Sequence, residues 1–130
     1  MVTGWEKFTH ELTEFEKAKV FPGLVRRWQR KDYNEFVNMK SMIQAINQNA
    51  VEKQLKTPSG KQYKTNGPRI RKMIHAIRVS GLVPNLIANS KGYFKSDDPQ
   101  KVRNFIKSCR ERSNSFLEVA NAMETYNFER

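Results

Sequence analysis

The stretch NGPRIRKMIHAIRVSGLVPNLIANSKGYFK, residues 66–95, decides the fold. Its first half has a helical period, with Ile70, Met73, Ile74 and Ile77 on one face at steps of three and four. Pro68 suits a first helical position, where a missing N–H costs nothing, and Gly81 stops the helix after Ser80. The opposite side carries Arg71, Lys72 and His75, flanked by Arg69 and Arg78. From Val83 onward the period changes. Leu86-Ile87-Ala88 and Tyr93-Phe94-Lys95 enclose Asn89-Ser90-Lys91-Gly92, which predicts a β-hairpin with a glycine in its turn.

Upstream, Thr13 and Glu16 match a capping box, and Glu14 also suits a first turn. Phe15, Ala18, Val20, Phe21, Leu24, Val25 and Trp28 then predict a helix over about 14–30. Pro22 and Gly23 fall in its middle, so two shorter helices are the alternative. The apolar stripe stays in phase across the proline, which favours one helix kinked there. Trp5, Phe8 and Leu12 suggest a short helix or arm before it, and Asp32, Tyr33 and Asn34 a polar break after it. Asn38 caps a second helix with Met42, Ile43, Ile46 and Ala50 facing inward, and residues 56–66 read as a loop. Downstream, Asp98 before Pro99 opens a last helix to about residue 126, with Val102, Phe105, Ile106, Cys109, Phe116, Ala120 and Met123 along one stripe.

The expected architecture is mainly α with a small β-hairpin, in a single domain over 1–130. Its parts are an N-terminal helical segment (1–35), a core (36–96) and a long C-terminal helix (97–130). At 130 residues, 38% apolar and 11% aromatic, the chain can bury a real core. No apolar run approaches the roughly 20 residues of a bilayer span, and no signal segment opens the chain, so a cytoplasmic protein without membrane partners is expected. The lone Cys109 fits a reducing compartment.

Charge is distributed unevenly. Ten Lys and Arg and no Asp or Glu lie between Lys53 and Lys95, so this stretch supplies +10 of the net +11. Folded surfaces usually mix the two signs, because unpartnered like charges repel. An acid-free stretch of this size therefore points to a polyanionic partner. Catalysis finds little support, and no enzyme activity, cofactor, metal or small-molecule ligand is expected. His10 and His75 are far apart, and no His/Cys cluster has metal-ligand spacing. Gly60-Lys61 resembles the end of a P-loop, but Gln62 stands where Ser or Thr is required.

The succession of two helices, a turn-rich link, a basic helix, a hairpin and a long helix resembles the winged-helix class of helix-turn-helix DNA-binding proteins. A group of small phage-encoded winged-helix proteins of poorly defined function is the nearest likeness. The residues that carry it run from Thr65 through Arg78, from Gly81 through Ala88, and from Asn89 through Phe94. In that class the helix before the hairpin enters the major groove, and the hairpin, or wing, touches phosphate or minor groove. The resemblance thus makes Arg69, Arg71, Lys72, His75 and Arg78 recognition-helix contacts, with Lys91 and Lys95 on the wing. The link before the basic helix, about ten residues against the usual three or four, departs from the pattern. Either the second helix runs longer than read here, or the link, bearing Lys56, Lys61 and Lys64, is a separate phosphate contact.

The resulting expectation is a non-enzymatic protein, encoded by a phage, that binds double-stranded DNA in transcription control, replication or packaging. Two rivals are a protein-binding or structural winged-helix adaptor and an RNA-binding module. The stripe of the last helix can pack on the first helix within one subunit, and, since it carries more apolar face than a small domain needs, it can also pair with its equivalent in a homodimer; the two modes can coexist. Such a dimer would set two recognition helices on half-sites roughly 34 Å apart.

Overall fold

The computed structural model of the protein describes residues 9–30 and 36–129. The arm expected around Trp5 and Phe8 and the polar break at residues 32–34 lie outside them. The chain divides into two compact units, one ending at Lys95 and the other beginning at Ser96.

In the first unit, α1 (Glu14–Lys19) and α2 (Phe21–Arg30) replace the single kinked helix expected over 14–30. The capping box forms as read: the Thr13 hydroxyl accepts the Glu16 N–H at 3.1 Å, and the Glu16 carboxylate accepts the Thr13 N–H at 3.0 Å. The break falls at Val20, two residues before the proline rather than at it. A continuous helix would press the Pro22 ring on the carbonyl four residues back and lose a hydrogen bond. Restarting at Phe21 puts Pro22 in a first turn, where its absent N–H is no loss.

Asn38 caps α3 (Met39–Glu52) by accepting the Ser41 N–H at 2.8 Å. The long link to α4 (Gly67–Ser80) is tied down rather than free. The Thr65 N–H donates to the Asn47 side chain at 2.7 Å, Tyr63 is buried in the core, and Lys56 bridges to Gln62 around a turn at Gly60. Asn66 caps α4, and Gly81 ends it in the left-handed conformation at φ 76°. The apolar stripe faces inward as expected: Ile70, Met73, Ile74 and Ile77 join Phe21, Trp28, Met42 and Leu86 in one core. Burying each such side chain contributes roughly 1.5–3 kcal/mol.

Strands β1 (Leu86–Asn89) and β2 (Gly92–Lys95) pair antiparallel, with Leu86 opposite Lys95 and Asn89 opposite Gly92. A third piece of extended chain joins them. Val37 and Tyr93 exchange both backbone hydrogen bonds, at 2.8 and 3.0 Å, so the hairpin is fastened to the residues that lead into α3. Gly92 makes this approach possible. Its φ is +139°, and a Cβ there would lie 2.4 Å from the Val37 carbonyl oxygen.

The second unit is one helix, α5 (Pro99–Phe128), capped by Asp98 accepting the Gln100 N–H at 2.9 Å. None of its residues is buried. Among the described residues, no helix is long and apolar enough to cross a membrane.

Candidate nucleic-acid interface

With its isoleucine face in the core, α4 turns Arg71 and His75, one helical turn apart, to solvent. Arg71 lines a cleft of about 270 Å³ with Asn38 and Met39 at the start of α3 and with Ala88–Tyr93 of the hairpin, Lys91 included. Two cations 20 residues apart in sequence thus share one concavity with the N-terminus of a helix. The free N–H groups and dipole of that terminus also favour an anion. Among the described residues, none that lines the cleft is a carboxylate, and neither α3 nor α4 has an acidic residue in its first turn. At the hairpin tip the Lys91 ammonium lies 5.9 Å from the centre of the Phe36 ring.

Most of the other cations expected to face a ligand, Lys61 and Lys64 excepted, are bound within the protein. Arg69 is paired with Glu16, whose side chain is only 3% exposed against 27% for Arg69. The guanidinium donates twice to that carboxylate, from Nε at 3.0 Å and from Nη2, and Nη2 also donates to the Glu11 carbonyl. The Tyr63 hydroxyl donates to the same carboxylate at 3.1 Å. Burial raises the Glu16 carboxyl, but Arg69, the Thr13 N–H and Tyr63 together outweigh burial and hold it below its ordinary value. Burial, aided by the Glu16 charge, pushes the Tyr63 hydroxyl up to about 12.

Lys72 donates to the Glu11 carboxylate at 3.1 Å, an exposed pair worth little by itself. Arg78 is a clamp: its Nε donates to the Leu86 carbonyl at 3.1 Å, and its guanidinium carbon lies 5.3 Å from the centre of the Tyr93 ring. Lys95 donates to the Gln29 carbonyl at 3.1 Å. Lys56 donates to Gln62 within its own turn at 3.4 Å, and Lys61 and Lys64 are exposed on the same link. The acid-free stretch from Lys53 to Lys95 therefore does find negative partners, supplied by Glu11 and Glu16 from the N-terminal segment.

That exchange leaves a second cationic place that sequence reasoning missed. Lys19, Arg26, Arg27, Arg30 and Lys53 surround a cleft of about 350 Å³ between α2 and α3, floored by Val20, Leu24, Ile46, Ala50, Leu55 and Tyr63. Among the described residues, no carboxylate lines it. Over residues 1–52 the charges nearly balance, with eight cations and seven acids, so composition gave no signal. The helical spacing of Lys19, Arg26 and Arg30 was the available clue. Among the described residues, no three His, Cys, Asp or Glu side chains come together to hold a metal ion.

No family model matches the chain, and no curated protein or solved structure matches it either.

Proposed function

We propose that the first unit is a winged-helix module that binds double-stranded DNA, with α4 presented to the major groove and the β1–β2 turn to the adjoining phosphates. The observation that carries this reading is the cleft joining Arg71 of α4, Lys91 of the hairpin and the start of α3, which no described carboxylate lines. The Val37–Tyr93 pairing, which adds a short strand to the hairpin before α3, supports it as well. A groove about 12 Å wide admits a helix, and arginine suits bidentate contact with guanine or phosphate. Arg71 and Lys91 are the principal contacts and His75 a further one, while Arg69 and Arg78 act by holding α4 in place. The exposed Lys72–Glu11 pair is weak enough for Lys72 to exchange its partner for a phosphate.

Fluorescence anisotropy with a labelled duplex tests this. Two phosphates neutralised by Arg71 and Lys91 give a slope of log affinity against log salt of about −1.8, and Lys61 and Lys64 bring it to about −3.6. Arg71→Gln with Lys91→Gln should lower affinity at least tenfold and flatten the slope by about 1.8. Duplex RNA should bind more weakly, because its deep, narrow major groove excludes a helix. A salt-independent affinity, equal binding to duplex RNA, or full affinity in the double variant would overturn the proposal.

A further inference from the structure

The cleft between α2 and α3 lies wholly in the first unit, and its cations have no part in the proposed duplex contact. Arg26, Arg27 and Arg30 project from α2, Lys19 ends α1, and Lys53 caps the far end of α3. All five are exposed. Among the described residues the ion pairs belong to Lys17, Arg69 and Lys72, and none to these five. The Arg30 Nε donates to the Arg26 carbonyl at 3.3 Å, which lays that side chain along the helix. Like charges gathered around one concavity repel each other and draw in an anion.

The floor decides which anion. Val20, Leu24, Ile46 and Leu55 make it largely aliphatic. The volume of about 350 Å³ falls within the range of roughly 300–1,000 Å³ typical of small-molecule sites. A duplex could lay phosphates on the rim but could not enter, and inorganic phosphate would leave the floor unused. A fatty acid would cover the floor but bring a single charge to five cations. The ligand that uses both parts is small, with several negative charges at one end and a flat, weakly polar body at the other. Asn49 of α3 also lines the cleft, and its amide can donate and accept at once, as the edge of a base requires. We propose that the α2–α3 cleft binds a free nucleoside polyphosphate, its phosphates among the arginines and lysines and its base on the aliphatic floor beside Asn49.

Gly23 supports this assignment. It lines the cleft from within α2. Gly60, Gly81 and Gly92 take a positive φ, but Gly23 does not. A Cβ on it would meet only the Arg26 Nη2, at 3.9 Å. Glycine weakens a helix relative to alanine, and neither backbone nor packing asks for it here. Its missing side chain opens the cleft beside the Arg26 guanidinium. The inference goes beyond duplex binding and does not rest on it.

Calorimetric titration of the full-length protein with ATP, GTP, adenosine and inorganic tripolyphosphate tests it. One nucleoside triphosphate should bind per chain, with adenosine and tripolyphosphate each at least about tenfold weaker, since each uses only part of the cleft. EDTA should leave the affinity unchanged, because no described carboxylate stands there to hold a bridging metal. Gly23→Leu fills the cleft and should abolish binding while the melting temperature holds or rises. Arg26→Gln with Arg27→Gln should weaken binding at least about tenfold. Arg71→Gln with Lys91→Gln should not alter it, so this site and the duplex contact stand or fall separately. No nucleoside triphosphate bound with a Kd below about 1 mM would overturn the proposal. So would tripolyphosphate binding as tightly as ATP, which means attraction by charge alone, or full affinity in Gly23→Leu, which moves the ligand elsewhere. A single-stranded oligothymidine that outcompetes ATP in the parent would make the cleft a strand-binding groove, and would overturn it too.

Discussion

Replacing Arg69 by Gln separates what holds α4 from what α4 presents. The substitution keeps a polar side chain but shortens it and withdraws two charged donors from a carboxylate whose side chain is 3% exposed. Glu16 is left with the Thr13 N–H and the Tyr63 hydroxyl. Breaking a buried ion pair from one side typically costs about 3–5 kcal/mol. Because the Arg69 side chain is 27% exposed, water can re-enter beside Glu16, and about 2–3 kcal/mol is the better figure. For a unit of this size that lowers the melting temperature by about 10 °C or more, as followed by circular dichroism. Arg71→Gln removes an exposed side chain and should shift the melting temperature by no more than a few degrees. Duplex affinity should respond in the opposite order, strongly to Arg71→Gln and little to Arg69→Gln at a temperature where both are folded. Adding Glu16→Gln to Arg69→Gln should recover part of the loss, since no charge is then stranded. An Arg69→Gln protein that melts within two or three degrees of the parent, or that loses affinity as Arg71→Gln does, would refute the assignment of Arg69 to the scaffold.

Other outcomes follow from the same geometry. Because Glu16 is held below its ordinary value of 4.5, its contribution is complete above that pH and is lost as the pH falls through the lower folded value. Urea unfolding of the parent should therefore weaken in that acid window, and a Glu16→Gln variant should show a smaller dependence there. Ultraviolet titration should find Tyr63 still protonated well above the ordinary tyrosine value of 10, with its transition at about 12 or at alkaline unfolding. Gly92→Ala places a Cβ 2.4 Å from the Val37 carbonyl oxygen at a φ of +139°, and should cost about 2 kcal/mol or more. Faster hydrogen exchange at the Val37 and Tyr93 amides than at those of α4 would locate that damage at the third strand.

Most local structure was legible because local rules decide it. Thr13 with Glu16, Asn38, Gly81 and Asp98 end helices through bonds spanning two to four residues, and each does so as its sequence indicates. The isoleucine face of α4 and the hairpin were legible for the same reason. The division at Val20 was harder to see, since the apolar stripe runs in phase through it and only the steric demand of Pro22 separates α1 from α2. The destination of the charges was not legible at all. Glu16 reads as a capping-box residue, and its spacing gives no hint that Arg69, 53 positions on, and Tyr63, 47 positions on, converge on the same carboxylate. Counting charges along a segment misjudged the surface twice, by leaving Arg69 and Lys72 unpartnered and by overlooking the cations gathered around the α2–α3 cleft.

The Arg78 clamp has a consequence for discrimination. By gripping a hairpin carbonyl and a hairpin ring at once, it ties α4 to the strands, so the backbone positions that carry Arg71 and Lys91 are held together without a ligand. Under the proposed duplex binding, little backbone ordering entropy would be lost on engagement, and the hairpin would not swing to follow a phosphate ladder of another pitch. Selection among helical nucleic acids would rest on their shape as much as on their bases.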